Sequence, residues 1–203
     1  MGNNFSGTSL WEAEGEVPSN IPKLDDIPEC CLAMVLTHME PPEICKLARL
    51  NRAFRNASSA DFIWELKLPA NYRFLLQKLA IDDAETMAEL CKKDVYARLC
   101  KPNPFDGGKK ELWLDKRTGG VCLSVSSKAL RITGIDDRRH WNHIPTDESR
   151  FETVAYLQQA WWVEVDGELE FNFPAGTYSL FFRLHVGRSS KKLGRRVCSS
   201  EHV

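Results

Sequence analysis

The sequence predicts an α+β protein of more than one domain, with helices in its N-terminal half and antiparallel strands in its C-terminal half. Two patterns support this prediction. Between Leu24 and Trp64 apolar residues recur at intervals of three and four, as in helices, whereas beyond Leu112 they alternate with polar residues, as in strands. Prolines and glycines crowd the stretch 102–108 between the two halves. A length of 203 residues with 43% apolar and 27% charged residues suits one or two globular domains.

The first predicted helix carries its apolar side chains on one face. These are Ile27, Leu32, Val35, Leu36 and Met39. Asp25 or Asp26 is expected to cap the helix, with Pro28 in its first turn, where a missing N–H costs nothing. Pro41 and Pro42 then end the helix and force a turn.

A second apolar face follows on a segment whose other sides are basic. The apolar residues are Ile44, Leu47, Ala48 and Phe54, and the basic ones are Lys46, Arg49, Arg52 and Arg55. A turn over 58–61 leads to Phe62 and Trp64. Three short helices within about forty residues bury little of their own surface. We therefore expect part of this apolar surface to bind a partner.

A connector of two helices is expected next. Pro69 and Asn71 mark a break. The first helix would use Tyr72, Leu75, Leu76 and Leu79, and the second would use Met87, Leu90, Cys91, Val95, Tyr96 and Leu99. Asp82 and Glu85, three residues apart, resemble a capping box for the second helix.

The C-terminal half is predicted to be an antiparallel β-sandwich of six strands. A hairpin over 112–125 turns at Thr118-Gly119-Gly120, a short strand ends at Gly134, and the polar stretch 135–149 is expected to be irregular. Asp166-Gly167 is a strong signal for a second hairpin. The alternation assigns one shared interior to Trp161, Val163, Val165, Phe171, Phe173, Phe182 and Leu184.

Residues 22–68 resemble the F-box: a leucine, a proline, helical leucines, a proline break, a basic second helix and a closing Trp64 occur in its order. The sequence departs from that pattern at Cys30-Cys31 and at Phe54. The resemblance implies docking onto the Skp-type adaptor of a cullin ubiquitin ligase, with an exposed apolar patch as the anchor. The implied contacts are Leu24, Ile27, Pro28, Leu32, Val35, Leu36, Pro42, Ile44 and Leu47. The alternative is that these side chains pack only among the helices.

From Asp94 onward the chain resembles the phloem protein 2 lectins of plants, of the A type, through DVYARLCKPNPF, HWNHIP and YSLFFRLHV. The resemblance implies a lectin-like sandwich over 102–203 that is C-terminally shortened. In that family two tryptophans bind sugar. One position falls on Gly134, which offers no stacking surface, and the other on Trp141, the candidate carbohydrate-binding residue. The predicted domains are a disordered leader (1–20), the F-box (21–68), the connector (69–101) and the lectin-like domain (102–203).

Charge and cysteine content limit the class of protein. A net charge of −1 gives no attraction to nucleic acid. Seven scattered cysteines without a CxxC motif or a signal peptide indicate reduced thiols in the cytoplasm or nucleus. Gly2 and Ser6 fit the N-myristoylation pattern, and a single acyl chain gives at most weak membrane association. The leader is equally well explained as a polar disordered segment.

No catalytic constellation or cofactor motif is present in the sequence. Asp136, Asp137, His140 and His143 have no spacing known for metal ligands, so we interpret them as a solvated loop. The leading hypothesis is a non-catalytic substrate-recognition subunit of an SCF-type (Skp–cullin–F-box) ubiquitin ligase, whose lectin-like domain captures a target, glycosylated or not. The alternatives are a carbohydrate-binding lectin with no ubiquitin-ligase role and a lipid-anchored binding module.

Overall fold

The computed structural model describes residues 27–79, 91–159 and 162–186, and its fold is α+β as predicted. Within these residues the helices are α1 (Glu29–Thr37), α2 (Pro41–Leu47), α3 (Arg52–Ala57), α4 (Asp61–Lys67), α5 (Tyr72–Lys78) and α6 (Lys92–Leu99), with a 3-10 helix at Ser127–Ala129. The strands are β1 (Asn103–Phe105), β2 (Lys110–Leu114), β3 (Val121–Val125), β4 (Arg131–Ile132), β5 (Trp141–Pro145), β6 (Thr153–Leu157) and β7 (Val165–Asp166). No helix among the described residues is long and apolar enough to cross a membrane.

The N-terminal region contains four short helices where three were expected. Pro28, rather than Asp25 or Asp26, is the residue that precedes α1. Pro41 is the first residue of α2, where its missing N–H removes no helical hydrogen bond, so the proline pair begins a helix as well as ending the previous one. The predicted second helix is interrupted at Asn51, whose side-chain oxygen accepts a hydrogen bond from the Phe54 N–H at 2.9 Å and caps α3.

The connector is partly described. Both α5 and α6 lie where the apolar spacing predicts them. α6 buries Val95, Tyr96 and Leu99, whereas α5 buries Leu75 and Leu76 and leaves Tyr72 and Leu79 half-buried. The start of the second predicted helix, including Met87 and the Asp82–Glu85 pair, lies outside the described residues.

The predicted hairpin is confirmed, and an additional strand extends it. β2 pairs antiparallel with β3, with Leu112 opposite Leu123. β1 pairs with β2 inside the proline- and glycine-rich stretch 102–108, where no strand was predicted. Pro104 is tolerated because β1 is an edge strand. The buried Asn103 also donates a hydrogen bond from its side-chain amide to the Leu112 carbonyl oxygen at 3.1 Å.

Two small antiparallel sheets follow, β5 with β6 and β4 with β7. The prediction of an irregular 135–149 was wrong, because β5 lies within this stretch. The second predicted hairpin is not formed: Val165 pairs with Ile132, and no strand is assigned over the described residues 167–186.

One hydrophobic core joins the helices to the first hairpin. It consists of Leu32, Ala33, Leu36, Ile44, Phe54, Ala57, Ile63, Trp64, Leu68, Leu75, Leu76, Val95, Tyr96, Leu99, Cys100, Leu112, Leu114 and Val121. Its members come from both sides of residue 102, so the predicted F-box, connector and β domain share one core. The divisions at 20, 68 and 101 stay predictions, and the core crosses the last two.

The predicted sandwich interior is wrong for most of its members. Val163, Val165, Phe182 and Leu184 are between 38% and 76% exposed. Trp161 lies outside the described residues. Phe171 and Phe173 are half-buried and stack with each other at 4.6 Å between ring centroids, while Phe171 meets Phe74 of α5 at 6.0 Å. The period-two alternation is present, but apart from the short pairing of Val165 with Ile132 it has no opposing strand in the described part of the chain.

Candidate functional site

The outer face of α1 is apolar and uncharged. Leu32, Ala33 and Leu36 point into the core, while Cys30, Cys31, Met34 and Val35 are exposed on the opposite side. Met34 is 65% exposed and Val35 is 59% exposed. Glu29, at the first position of the helix, carries the one charged side chain of α1. A surface helix normally places charged residues outward, so this face is typical of an interface.

The predicted docking residues divide into two groups. Ile27, Pro28 and Val35 are exposed, so a partner can contact them directly. Leu32, Leu36 and Ile44 are between 0% and 4% exposed, so they support the helices from inside rather than contact a partner directly. Pro42 and Leu47 are half-buried on α2. Leu24 lies outside the described residues. Sequence spacing missed Met34 and the cysteine pair, which the outward face of the helical repeat could have identified.

Hydrogen bonds outside the core also fix α1 in place. The Lys67 ammonium of α4 donates a hydrogen bond to the Thr37 carbonyl oxygen at 2.7 Å, at the C-terminal end of α1. A cation at this end of a helix also meets the favourable side of the helix dipole. The guanidinium of Arg117, in the β2–β3 turn, forms an ion pair with Glu40 at 2.6 Å just before α2. The surface is therefore supported by both the helices and the hairpin.

Trp64 lies at the centre of this support and not on the surface. It is 2% exposed, and its indole N–H donates a hydrogen bond to the Ser58 carbonyl oxygen at 2.7 Å. Its ring stacks at 5.4 Å on Tyr96 of α6. The Tyr96 hydroxyl reaches the Asp115 and Lys116 carbonyl oxygens of the hairpin at 3.3 and 3.4 Å. Burial raises the pKa of Tyr96, so this hydroxyl stays protonated and able to donate.

The candidate sugar-binding tryptophan is buried. Trp141 begins β5 instead of lying in a loop and is 7% exposed. Its indole N–H donates a hydrogen bond to the Thr133 carbonyl oxygen at 3.0 Å. Gly134, with a φ of 69°, turns the chain beside this ring. Sugar stacking needs an open aromatic face, and in this conformation Trp141 presents none.

Comparison with known proteins matches a different family to each half of the chain. The F-box domain family matches residues 24–66, and the phloem protein 2 family matches residues 120–200. The chain is 62% identical over 204 residues to F-box protein PP2-A13 of Arabidopsis thaliana, covering 100% of this chain and 70% of that relative. It is 58% identical over 182 residues to F-box protein PP2-A12 of the same plant, covering 90% of this chain and 62% of the relative. For the Arabidopsis F-box protein PP2-A11 the identity is 48% over 205 residues, covering 100% of this chain and 70% of that relative.

The chain belongs to the F-box protein PP2-A family. It spans between 62% and 70% of the length of these three relatives. No solved structure matches it. The phloem protein 2 match begins at Gly120, in the middle of the β2–β3 hairpin. The boundary of this family's second domain therefore falls inside a hairpin that contributes Leu112, Leu114 and Val121 to the core shared with the F-box helices.

Trp113 makes a cation–π contact that the sequence did not predict. The guanidinium of Arg150 lies 3.9 Å from the centroid of the half-exposed Trp113 ring, a cation–π contact. The same guanidinium reaches the Glu111 carboxylate at 3.4 Å. This pair borders a shallow cleft of about 280 Å³ with Cys100, Pro102 and Lys116. Arg150 covers the ring, so the contact ties the 146–152 loop to β2 and leaves little aromatic surface free.

The acidic and histidine residues that we interpreted as a solvated loop all lie within the described residues. Asp137 forms an ion pair with Arg139 at 2.7 Å, and this guanidinium lowers the pKa of Asp137. The His140 ring contacts the Gln159 carbonyl oxygen at 3.1 Å. Within the described ranges no three His, Cys, Asp or Glu side chains come together as a metal site.

Proposed function

We propose that this F-box protein is a non-catalytic substrate-recognition subunit of an SCF-type ubiquitin ligase, in which α1 docks on a Skp-type adaptor and, through it, on a cullin. The observation that carries the proposal is the uncharged outer face of α1, with Met34 and Val35 exposed above a fully buried inner face. Burying these two side chains gives a favourable apolar contribution, and no charged side chain lies between Cys30 and Thr37 to be desolvated with them.

The family assignment supports the choice of partner. The F-box match covers residues 24–66, which includes α1 to α4 except for the last residue of α4. The relatives carry the same two domains in their names. In the described part of the chain the matched helices form one packed unit, so the outer face of α1 is already formed before a partner binds.

Target capture is assigned to the phloem protein 2 part. This part exposes a segment rich in apolar side chains, with Leu180, Phe181 and Leu184 between 76% and 84% exposed. Contiguous apolar surface of this kind is typical of protein interaction sites. Because Trp141 is buried, we assign a protein surface, and not the family's sugar pocket, as the feature that the domain recognises.

Compartment and lipidation complete the proposal. All cysteines in the described residues are free thiols, which suits the reducing cytoplasm or nucleus. Gly2 lies outside the described residues. We propose it as a myristoylation site on the motif alone, to be tested by mass spectrometry of the N-terminal peptide.

The docking proposal is tested with one charge placed on α1. We expect Met34→Glu to weaken binding of the full chain to a Skp-type adaptor at least tenfold, about 1.4 kcal/mol, because the new carboxylate must lose its water at the interface. Leu66→Glu is the matched control, since Leu66 of α4 is 68% exposed against 65% for Met34. Binding is measured by isothermal titration calorimetry after circular dichroism has shown that both variants are folded. Equal affinity of parent and Met34→Glu would refute docking through α1.

A further inference from the structure

Two adjacent thiols occupy the proposed docking face. Cys30 and Cys31 are both exposed on the outer side of α1, and Cys31 lies four residues before Val35. Side chains four residues apart on a helix are neighbours, so any group added to Cys31 lies beside Val35, and one added to Cys30 lies beside Met34. A modification of either sulfur would therefore cover the surface that the adaptor is proposed to contact.

The two sulfurs interact but are poorly placed to form a bond with each other. Hydrogen bonding with Cys30 raises the pKa of Cys31, which makes the Cys31 thiolate scarcer, so Cys30 is the nucleophile of the pair. Adjacent Cα atoms are about 3.8 Å apart across a trans peptide, whereas a disulfide usually requires about 4.4 to 6.8 Å. An internal disulfide would therefore require distortion of the first turn of α1.

This geometry determines how long a mixed disulfide on either cysteine persists. Where a second cysteine can reach a mixed disulfide without strain, it displaces the added thiol and forms a protein disulfide. On α1 that displacement is opposed by the helix. A mixed disulfide formed here is expected to persist until an external thiol removes it.

We propose that Cys30 and Cys31 are a redox-sensitive modification site at which S-glutathionylation blocks docking of the adaptor. In the reaction the Cys30 thiolate attacks one sulfur of glutathione disulfide, the S–S bond of the oxidant breaks, and glutathione leaves as its thiolate. The cysteine sulfur is oxidised and the departing glutathione is reduced. The inference rests on the docking function proposed above.

The added group opposes docking both by its size and by its charge. Glutathione carries two carboxylates and one ammonium group, and it would be placed on a face without charged side chains between Cys30 and Thr37. Enclosing it in the interface would bury unpaired charge. By linkage, an adaptor bound to α1 must disfavour modification of the thiols to the same extent as modification disfavours binding.

The test uses the full chain, glutathione disulfide as the oxidant and a Skp-type adaptor as the binding partner. After treatment and removal of excess reagent, peptide mass spectrometry locates the adduct and calorimetry measures affinity. We expect the modified parent to bind at least about tenfold more weakly and dithiothreitol to restore binding. The Cys30→Ser/Cys31→Ser double variant should bind equally well before and after treatment. Cys45→Ser, which removes another exposed thiol, should behave like the parent.

Three outcomes would overturn the inference. If the treated double variant lost affinity as the parent does, the effect would come from another cysteine. A parent that carries the adduct on Cys30 or Cys31 and still binds normally would show that the site does not control docking. An internal Cys30–Cys31 disulfide as the main product would refute the persistent adduct. If instead the reduced parent fails to bind the adaptor at all, the docking proposal itself fails and the inference fails with it.

Discussion

The region from α1 to β3 and the region from β4 onward differ in how far their apolar residues are buried. The first region holds a single core that runs from Leu32 to Val121. Among the described residues beyond Val121, the buried apolar side chains are Ile132 and Trp141. Both regions have regular apolar patterns in their sequence. The difference shows that a pattern provides an apolar face, whereas burial requires a second element to cover that face.

The adaptor-docking proposal belongs to the first region and benefits from its rigidity. The inner face of α1 is held in a core that includes the hairpin, so the helix backbone needs little ordering when a partner binds, which lowers the entropic cost of association. The target-capture proposal belongs to the second region, where extended apolar surface is available. The variants below test whether this contrast is correct.

The largest effect is expected for a core residue of the hairpin. Leu112 of β2 is fully buried in the core that it shares with the helices. Leu112→Ala should lower the free energy of unfolding by about 2 to 5 kcal/mol, because it removes buried apolar surface and leaves a cavity. Urea unfolding followed by far-ultraviolet circular dichroism reports the helices. A helical transition that does not move would show that the hairpin is not part of their core.

A smaller effect is expected where the hairpin turn touches α4. Gly119 has a φ of 71°, and a Cβ added there would lie 2.5 Å from the Lys67 carbonyl oxygen. Gly107 also has a positive φ, 62°, but nothing lies within 4 Å of an added Cβ. Both alanine variants incur roughly 1 to 2 kcal/mol for the left-handed backbone, and Gly119→Ala incurs the backbone clash in addition.

Chemical denaturation of the two alanine variants separates these contributions. Gly119→Ala should be clearly less stable than Gly107→Ala. Equal stability of the two would mean that the turn does not pack against α4.

The same turn should make the free energy of unfolding depend on pH. Asp115 accepts hydrogen bonds from the Thr118 N–H at 2.8 Å and the Thr118 hydroxyl at 2.9 Å, and these bonds lower the pKa of Asp115 from its ordinary 3.8. A carboxyl whose pKa is lower in the folded state stabilises the fold above its unfolded pKa, and this stability is lost as the pH falls through the folded pKa.

Thermal melts of the parent and Asp115→Asn across a pH series measure this contribution. The parent should be the more stable of the two at neutral pH, and its advantage should shrink below pH 3.8. An advantage that is unchanged in acid would contradict the role given to the charged carboxylate.

The smallest effect is expected in the second region. Phe182 is 55% exposed, so Phe182→Ala should change the free energy of unfolding by no more than about 0.5 kcal/mol, the usual range for a surface substitution. The sandwich interior predicted from the alternation would instead require a loss of about 3 to 5 kcal/mol. Urea titration of the full chain distinguishes the two values, and a loss in the higher range would restore the predicted interior.

Local patterns predicted the elements that depend on local interactions. The spacing of Leu32 and Leu36 identified the inner face of α1, and the Thr118-Gly119-Gly120 turn between alternating residues identified the β2–β3 hairpin. The strand at Asn103–Phe105 could not be predicted, because Pro104 is unfavourable in a strand unless that strand lies at an edge. The edge position depends on which strands pair, and pairing is not local information.

The candidate site was predicted in part for the same reason. Spacing placed the docking residues on and beside the first two helices but did not separate the side chains that face the core from those that face outward. Leu36 is fully buried, whereas Met34, which the sequence did not single out, is 65% exposed. The orientation of α1 is set by α3 and α4, which follow it in the chain and pack against it.

The central claim is that the first region supplies the adaptor-docking surface. Hydrogen–deuterium exchange of the full chain, with and without a Skp-type adaptor, tests it most directly, since amide protection reports local opening and its change on binding. We expect the adaptor to slow exchange in α1 and at the preceding Ile27, and to leave residues 162–186 unchanged. Slower exchange over 162–186 with no change in α1 would contradict the account.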